Sequence, residues 1–371
     1  MNYMQLTTGV RSNNRIRYFD IAKGIAILAV ILGHSVLISN VFLPDTIAGD
    51  VIYHVCFTFH MPLFFILSGY FMHPERDFRW RKESRELIAT YAITASVIIF
   101  INTLSSLVLG GGLRATFKGW FAAAFYGAGD FGNYAWPVPF RIGALWFLLG
   151  LFWAHLFVHF SFKYKSPSLV IAILFVVGYL SSRVLWLPLS VQAGMTASAF
   201  VYCGVLARRY EVLRYLNQRW WIVVPFALLW VVAIVEFTGF SMAMNQYGFG
   251  FHFILSVIGA IAGTVCVLGI SMLLDRYANR MSTCLALFGK NSLALLCVHI
   301  IEDDCTPWQI LLPSAAHMIS PRFMWAIVFL VRVILDVVLA RIVFAIPHVN
   351  KLFFPYLEKK APSISGDMRA L

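Results

Sequence analysis

Stretches of about twenty apolar residues recur along the chain with little between them, and that length is what an α-helix needs to cross a bilayer. Ten such spans are predicted: 18–40, 51–72, 87–109, 143–162, 168–187, 191–207, 220–240, 251–274, 284–302 and 322–347. The sixth is short, and Lys290 and Asn291 interrupt the ninth. Of the 371 residues, 60% are hydrophobic and only 12% charged, about half the charged share of a soluble domain. The expected fold class is therefore all-α integral membrane: a bundle of ten transmembrane helices at 18–347, between a cytoplasmic segment at 1–17 and a cytoplasmic tail at 348–371. The first apolar run is long and others follow closely, so it is expected to be a helix of the bundle and not a cleaved leader. No inverted repeat of the kind many transporters carry is visible.

The net charge of +12 would point to nucleic acid in a soluble protein. Here its distribution gives a simpler reason. With the N-terminus in the cytoplasm, 21 of the 29 Lys and Arg residues fall inside, five outside and three within spans. That bias is the positive-inside pattern; it supports ten spans with both termini cytoplasmic and leaves no role for nucleic acid. The six cysteines form no C-x-x-C pair and behave as small packing residues without a redox or zinc signal. One outer connection, Gly110 to Ile142, is long and rich in glycine, proline and aromatics. It is expected to be an ordered re-entrant or surface loop.

The first span, "RYFDIAKGIAILAVILGHS", holds Asp20, Lys23 and His34. Ionisable groups at membrane depth are expensive and normally face the bundle interior or water. Lys23 and His34 are eleven residues apart, three turns plus roughly 20°, so they share a face with His34 roughly 16 Å above Lys23. Asp20 lies one turn below Lys23. The lower pair also fits an interfacial ion pair, and His34 also fits a structural hydrogen bond to a neighbouring helix.

The second span runs back inward. It brings His54 and His60 within about a turn of His34 in depth, and sets Ser68-Gly69 level with Lys23-Gly24, where small residues permit close approach. His299 in "GKNSLALLCVHIIEDD" reaches a similar depth. Such a layer of imidazoles fits metal ligation, a catalytic base in a tunnel, or a proton pathway. The spacing is poor for a metal, and none is predicted.

Four motifs in this order, "DIAKGIAILAVILGHS", "FHMPLFFILSGYF", "ALWFLLGLFWAHL" and "GKNSLALLCVHI", resemble the membrane acyltransferase 3 family. "FHMPLFF" is most similar to its sugar O-acetylase (fucose 4-O-acetylase-like) branch. The resemblance covers about residues 15 to 350. It implies transfer of an acyl group, usually acetyl from acetyl-CoA, to a carbohydrate hydroxyl at the outer face of a bacterial-type inner (plasma) membrane. It also implies residue roles. The family's first-helix basic residue, glycine and histidine match Lys23, Gly24 and His34; its K/R-x-x-R pair matches Lys82 and Arg85; its SG element matches Ser68 and Gly69. The family more often has Arg where this chain has Lys23, and Lys lacks the bidentate fork.

A sugar hydroxyl needs a base within hydrogen-bond reach, and imidazole has a suitable pKa. His34 is the candidate, either deprotonating the acceptor directly or first carrying the acetyl group as an acetyl-imidazole. The anionic donor needs cations at the inner mouth, where Arg76, Arg79, Arg81, Lys82 and Arg85 cluster. Lys23 would hold the cofactor below His34, with Asp20 holding Lys23 in a passage whose wall is the stripe. On the acceptor side stand His60, Trp146, Arg141, His299 and Glu302; Trp146 fits a core position equally well. Arg332 and Asp336, four apart, are expected to pair with each other. A proton-coupled solute transporter and a non-catalytic subunit are the rival readings, and the phosphate-sized cationic mouth favours the enzyme. The acceptor sugar, and whether the chain forms a homo-oligomer, are not legible.

Overall fold

A computed structural model describes residues 16–44, 46–236, 251–317 and 319–354. The expected N-terminal segment and most of the tail lie outside the described residues, as does the end of the seventh span. Among the described residues the chain is helical, with no strand and one isolated parallel bridge between Tyr134 and Trp186. The helices are α1 (Arg17–Phe42), α2 (Ile47–Phe71), α3 (Trp80–Glu83), α4 (Thr90–Leu109), α5 (Leu113–Tyr126), α6 (Trp146–Ser161), α7 (Pro167–Ser181) and α8 (Val191–Arg209). They are followed by α9 (Val212–Gln218), α10 (Val223–Val235), α11 (Phe251–Tyr277), α12 (Asn279–Lys290), α13 (Ser292–Cys305), α14 (Trp308–Ala316), α15 (Pro321–Ala345) and α16 (Asn350–Phe353).

Six described helices are long and apolar enough to cross a membrane, or up to eight if each bent pair counts as one span. They include α1, α2, α6 with its leading turn, and the continuous run Trp80–Leu109. The bent pairs are α9 with α10, at 107°, and α12 with α13, at 69°. The ninth expected span, 284–302, is thus not one straight helix. It breaks at Asn291, whose backbone N–H turns back to the Leu287 and Phe288 carbonyls. The fifth ends early: α7 stops at Ser181 after 15 residues, about 22 Å of helix. Part of the expected outer loop is also helical: α5 occupies Leu113–Tyr126, between an irregular glycine turn at Gly110–Gly112 and the irregular stretch that follows. That stretch is ordered by Trp186, whose N–H donates to the Asn133 carbonyl at 2.8 Å and whose carbonyl accepts from the Tyr126 hydroxyl.

α1 is apolar on nearly all sides, which is how a helix at the centre of a bundle must be. It packs on α2, α11, α12 and α15, while α2 also packs on α8, and α8 on α6 and α7. Thr46 starts α2 by accepting a hydrogen bond from the Gly49 N–H at 3.1 Å. Glycines let the backbones touch. A Cβ at Gly289 on α12 would strike the Asp20 carbonyl of α1, and one at Gly24 would strike Leu285 of α12. α2 and α8 interlock the same way, Gly69 against Val201 and Gly204 against Ile66. Association by close packing of small residues is the usual means of joining helices in lipid. Gly24 and Gly69 thus each serve a different neighbouring helix and do not meet each other, while Lys23 and Ser68 beside them border one cavity. Gly289→Leu should separate α1 from α12 and destabilise the protein by about 1–3 kcal/mol. Thermal unfolding in detergent measures this, and an unchanged midpoint would contradict the packing.

Candidate active site

α1 ends, α2 begins and α13 ends toward one side of the bundle, called here the upper side. α13 and α15 deliver charged groups to it. His299 is fully buried, and its Nδ1–H donates to Asp336 Oδ2 at 3.0 Å. Arg332, also fully buried, donates from Nε to Glu302 Oε2 at 2.7 Å and from Nη2 to Asp303. Asp303 in turn lies 3.6 Å from His34 Nδ1, and the His34 and His299 rings meet edge to face with centroids 5.4 Å apart. Phe57 lies nearly parallel to the His34 ring, with centroids 6.0 Å apart. Three helices thus converge on one layer, α1 with His34, α13 with His299, Glu302 and Asp303, and α15 with Arg332 and Asp336.

The expected ion pair between Arg332 and Asp336 does not form. The guanidinium turns to Glu302 and Asp303 on α13, and Asp336 takes His299. Partners on a facing helix offer two carboxylates, which outweigh one i,i+4 contact of a few tenths of a kcal/mol. His60 is buried in the same layer, with Nδ1 2.6 Å from the Cys56 carbonyl of its own helix. Glu302 is occupied by Arg332 rather than open to a sugar. Two groups, His34–His299–Asp303 and His299–Glu302–Asp336, have ligand-type atoms within 4.8 Å of one another. Arg332 contacts one carboxylate of each group, Asp303 in the first and Glu302 in the second.

At the lower side, where α1 begins and α2 ends, a cavity of about 320 Å³ opens. Lys23, Ser68, Arg79, Lys82, Glu83 and His155 give it polar walls; Met61, Phe64, Phe147, Leu148, Leu151 and Leu296 give it an apolar interior. Lys82 also lies 3.4 Å from Glu86, and Lys23 Nζ lies 5.8 Å from the Phe71 ring centre. A π-helical turn, Ser84–Ala89, joins α3 to α4; such turns often sit at functional sites. A smaller recess of about 90 Å³ beside it is lined by His73, Arg76 and Arg79. Its connecting loop is electropositive: partial burial, then Arg208 and Arg76, hold the His73 ring below its usual range.

Within the cavity three side chains form a relay. Ser68 Oγ lies 2.5 Å from His155 Nε2, and His155 Nδ1 lies 2.8 Å from Glu83 Oε2. A carboxylate only accepts, so Nδ1 carries the proton and Nε2 accepts from the serine hydroxyl. His155 and Glu83 are not among the expected site residues, although His155 stands in "ALWFLLGLFWAHL" and Glu83 lies between Lys82 and Arg85 of the K/R-x-x-R pair. An ionisable residue inside "ALWFLLGLFWAHL" is itself the signal.

Of the other expected residues, Lys23, Ser68, Arg79 and Lys82 line the cavity; Gly69, Arg81, Arg85 and His34 do not. The expected open passage from Lys23 to His34 is closed: Ile27, Val30 and Ile31 between them are fully buried. The cavity ends at Met61 and Leu296, each within a turn of His60 or His299 in sequence. Trp146 is a core residue, packed on Gly150 and Phe65, and its neighbour Phe147 faces the cavity instead. Arg141 lies outside the network, 3.3 Å from Asp130 in the outer segment.

Comparison with known families decides the class. The model of an acyltransferase domain, that of the acyltransferase 3 family, matches residues 16–341. The chain belongs to this family. No curated protein and no solved structure matches it. With its apolar helices, this acyltransferase is a multi-pass membrane protein. The family match spans both the lower cavity and the upper charged layer.

Proposed function

We propose that this acyltransferase moves an acetyl group from cytoplasmic acetyl-CoA to a carbohydrate hydroxyl, in the manner of the sugar O-acetylase branch, from a bacterial-type inner membrane with ten spans and both termini inside. The observation that carries the donor half is the lower cavity. Its mouth offers Lys23, Arg79 and Lys82 to phosphates, and its apolar interior suits a slim thioester arm. A cavity of this size takes the arm and thioester, while the nucleotide stays at the basic loop.

His34 serves the acceptor half. Asp303 faces its Nδ1, so Nε2 is the nitrogen left to take a proton from a sugar hydroxyl, and the carboxylate supports the imidazolium that forms. Arg332 holds Asp303 in place. Asp20 and Lys23 belong to the donor end, Lys23 as a charge on the cavity wall. Arg81 and Arg85 add to the surrounding field, and Gly69 seats Ser68 by letting α8 approach. His60 and His299 border the acceptor layer. The buried His–carboxylate chain is also what a proton-coupled transporter would use; the cationic mouth favours the enzyme.

The test is acetyl transfer by purified protein in lipid nanodiscs, from labelled acetyl-CoA to surface glycans of cells lacking the gene. One added acetyl unit by mass spectrometry, released by alkaline hydroxylamine, is expected. Proton-coupled solute uptake by the same protein in sealed proteoliposomes, without acetylation, would replace this reading with the transporter. Reversing Arg79 and Lys82 to Glu should weaken CoA binding by about tenfold or more, since a charge-assisted contact is worth about 1.5–3 kcal/mol. Calorimetric titration with CoA measures it, and unchanged affinity would leave those charges as topology signals only.

A further inference from the structure

We propose that Ser68, His155 and Glu83 form a nucleophilic triad on which the donor's acetyl group rests as a serine ester before it is passed on. This rests on the donor reading above and deepens it by naming the group that takes the acetyl.

Three elements far apart in sequence build the arrangement. Ser68 stands in the last turn of α2, His155 in α6, and Glu83 at the end of α3. The contacts run in the order such chemistry requires, hydroxyl to Nε2 at 2.5 Å and Nδ1–H to carboxylate at 2.8 Å. Both His155 and Glu83 keep only about an eighth of their side-chain surface exposed, 12% each, so the relay is shielded from bulk water, where a serine alkoxide would be hard to form. All three residues line the same cavity as Lys23, Arg79 and Lys82. A serine that merely tied α2 to α6 would have no need of a buried carboxylate behind its histidine, or of cations around it.

The step balances within the groups named. Ser68 Oγ attacks the thioester carbonyl carbon while His155 Nε2 takes the hydroxyl proton; Glu83 steadies the imidazolium. The C–S bond breaks as the new C–O ester bond is kept, and the proton passes from His155 to the leaving sulfur, giving free CoA. Lys23 and the amino end of α13 at Ser292 border the cavity, and their positive charge suits the oxygen that becomes negative during the attack. Ser68 and His155 act on the reacting atoms; Glu83 is a positioning residue. The reaction is then two-stage: CoA leaves first, and the acceptor hydroxyl attacks the ester carbon once Ile27, Val30 and Ile31, buried between Ser68 and His34, part to admit it; the C–O bond to Ser68 breaks and His155 returns the proton to the serine oxygen.

The experiment uses the full-length protein in nanodiscs, mixed with labelled acetyl-CoA without acceptor and quenched in acid. The expected result is one acetyl mass on the α2 peptide holding Ser68. Ser68→Ala should lose that label and transfer by about 10³-fold or more while CoA affinity stays within a factor of two. Ser68→Cys should restore a label, now released by neutral hydroxylamine as a thioester is. Glu83→Gln should slow labelling about 10²–10⁴-fold without changing CoA affinity, and Glu83→Asp should recover part of the rate, a split that a purely structural residue would not give. Normal transfer by Ser68→Ala, or label found on His34, overturns the triad and leaves the donor reading standing. Wild-type protein that neither binds nor consumes acetyl-CoA overturns both.

Discussion

His34→Ala is expected to lower acetyl transfer by about 10²–10⁴-fold while CoA still binds. The two effects separate because the ring does not line the lower cavity. It lies in the upper layer, 3.6 Å from Asp303 and edge-on to His299. His34→Gln should do little better, since an amide keeps the hydrogen bonds but takes up no proton. Asp303→Asn should produce a smaller loss, because it removes the charge that supports the imidazolium but leaves the base. Initial rates with labelled donor, alongside calorimetric CoA binding on the same preparations, resolve these cases. Transfer at the wild-type rate by His34→Ala would remove the base from the mechanism.

Arg332→Met should destabilise the folded protein by about 3–5 kcal/mol, the usual consequence of stripping one partner from a buried ionic group. The guanidinium is fully buried and bridges Glu302 and Asp303. Without it the adjacent carboxylates of Glu302 and Asp303 face each other and the buried Asp336 with little water to screen them. The double variant Arg332→Met with Glu302→Gln should regain part of the loss, because one of the stranded charges is gone; the non-additivity measures their coupling. Unfolding by denaturant in detergent reads both. If Arg332→Met were as stable as wild type, the network would be incidental to the fold.

The apolar periodicity carried far enough to place α1, α2, α6 and α8, because a bilayer demands length and hydrophobicity and the chain must supply both locally. It also showed that Lys290-Asn291 interrupts an apolar run, though not the 69° turn that follows. α5 was hidden because its glycine- and aromatic-rich surroundings resemble a loop, while its own fourteen residues are a modest amphipathic helix. His34 and His299 could be brought to one depth by counting turns. Which carboxylate meets which cation could not. Arg332 has an acceptable partner at Asp336 on its own helix and finds better ones on α13. The relay of Ser68, His155 and Glu83 depends on three elements separated by as many as 87 positions. Nothing local in any of them states that they meet.

The apolar plug of Ile27, Val30 and Ile31 has a consequence for the cell as well as for the reaction. A membrane acyltransferase with polar groups at two depths of one bundle must not become a pore. Along α1 these side chains exclude water between the lower cavity and the upper charged layer, so polar groups at both depths do not join into a path that would short-circuit ion gradients.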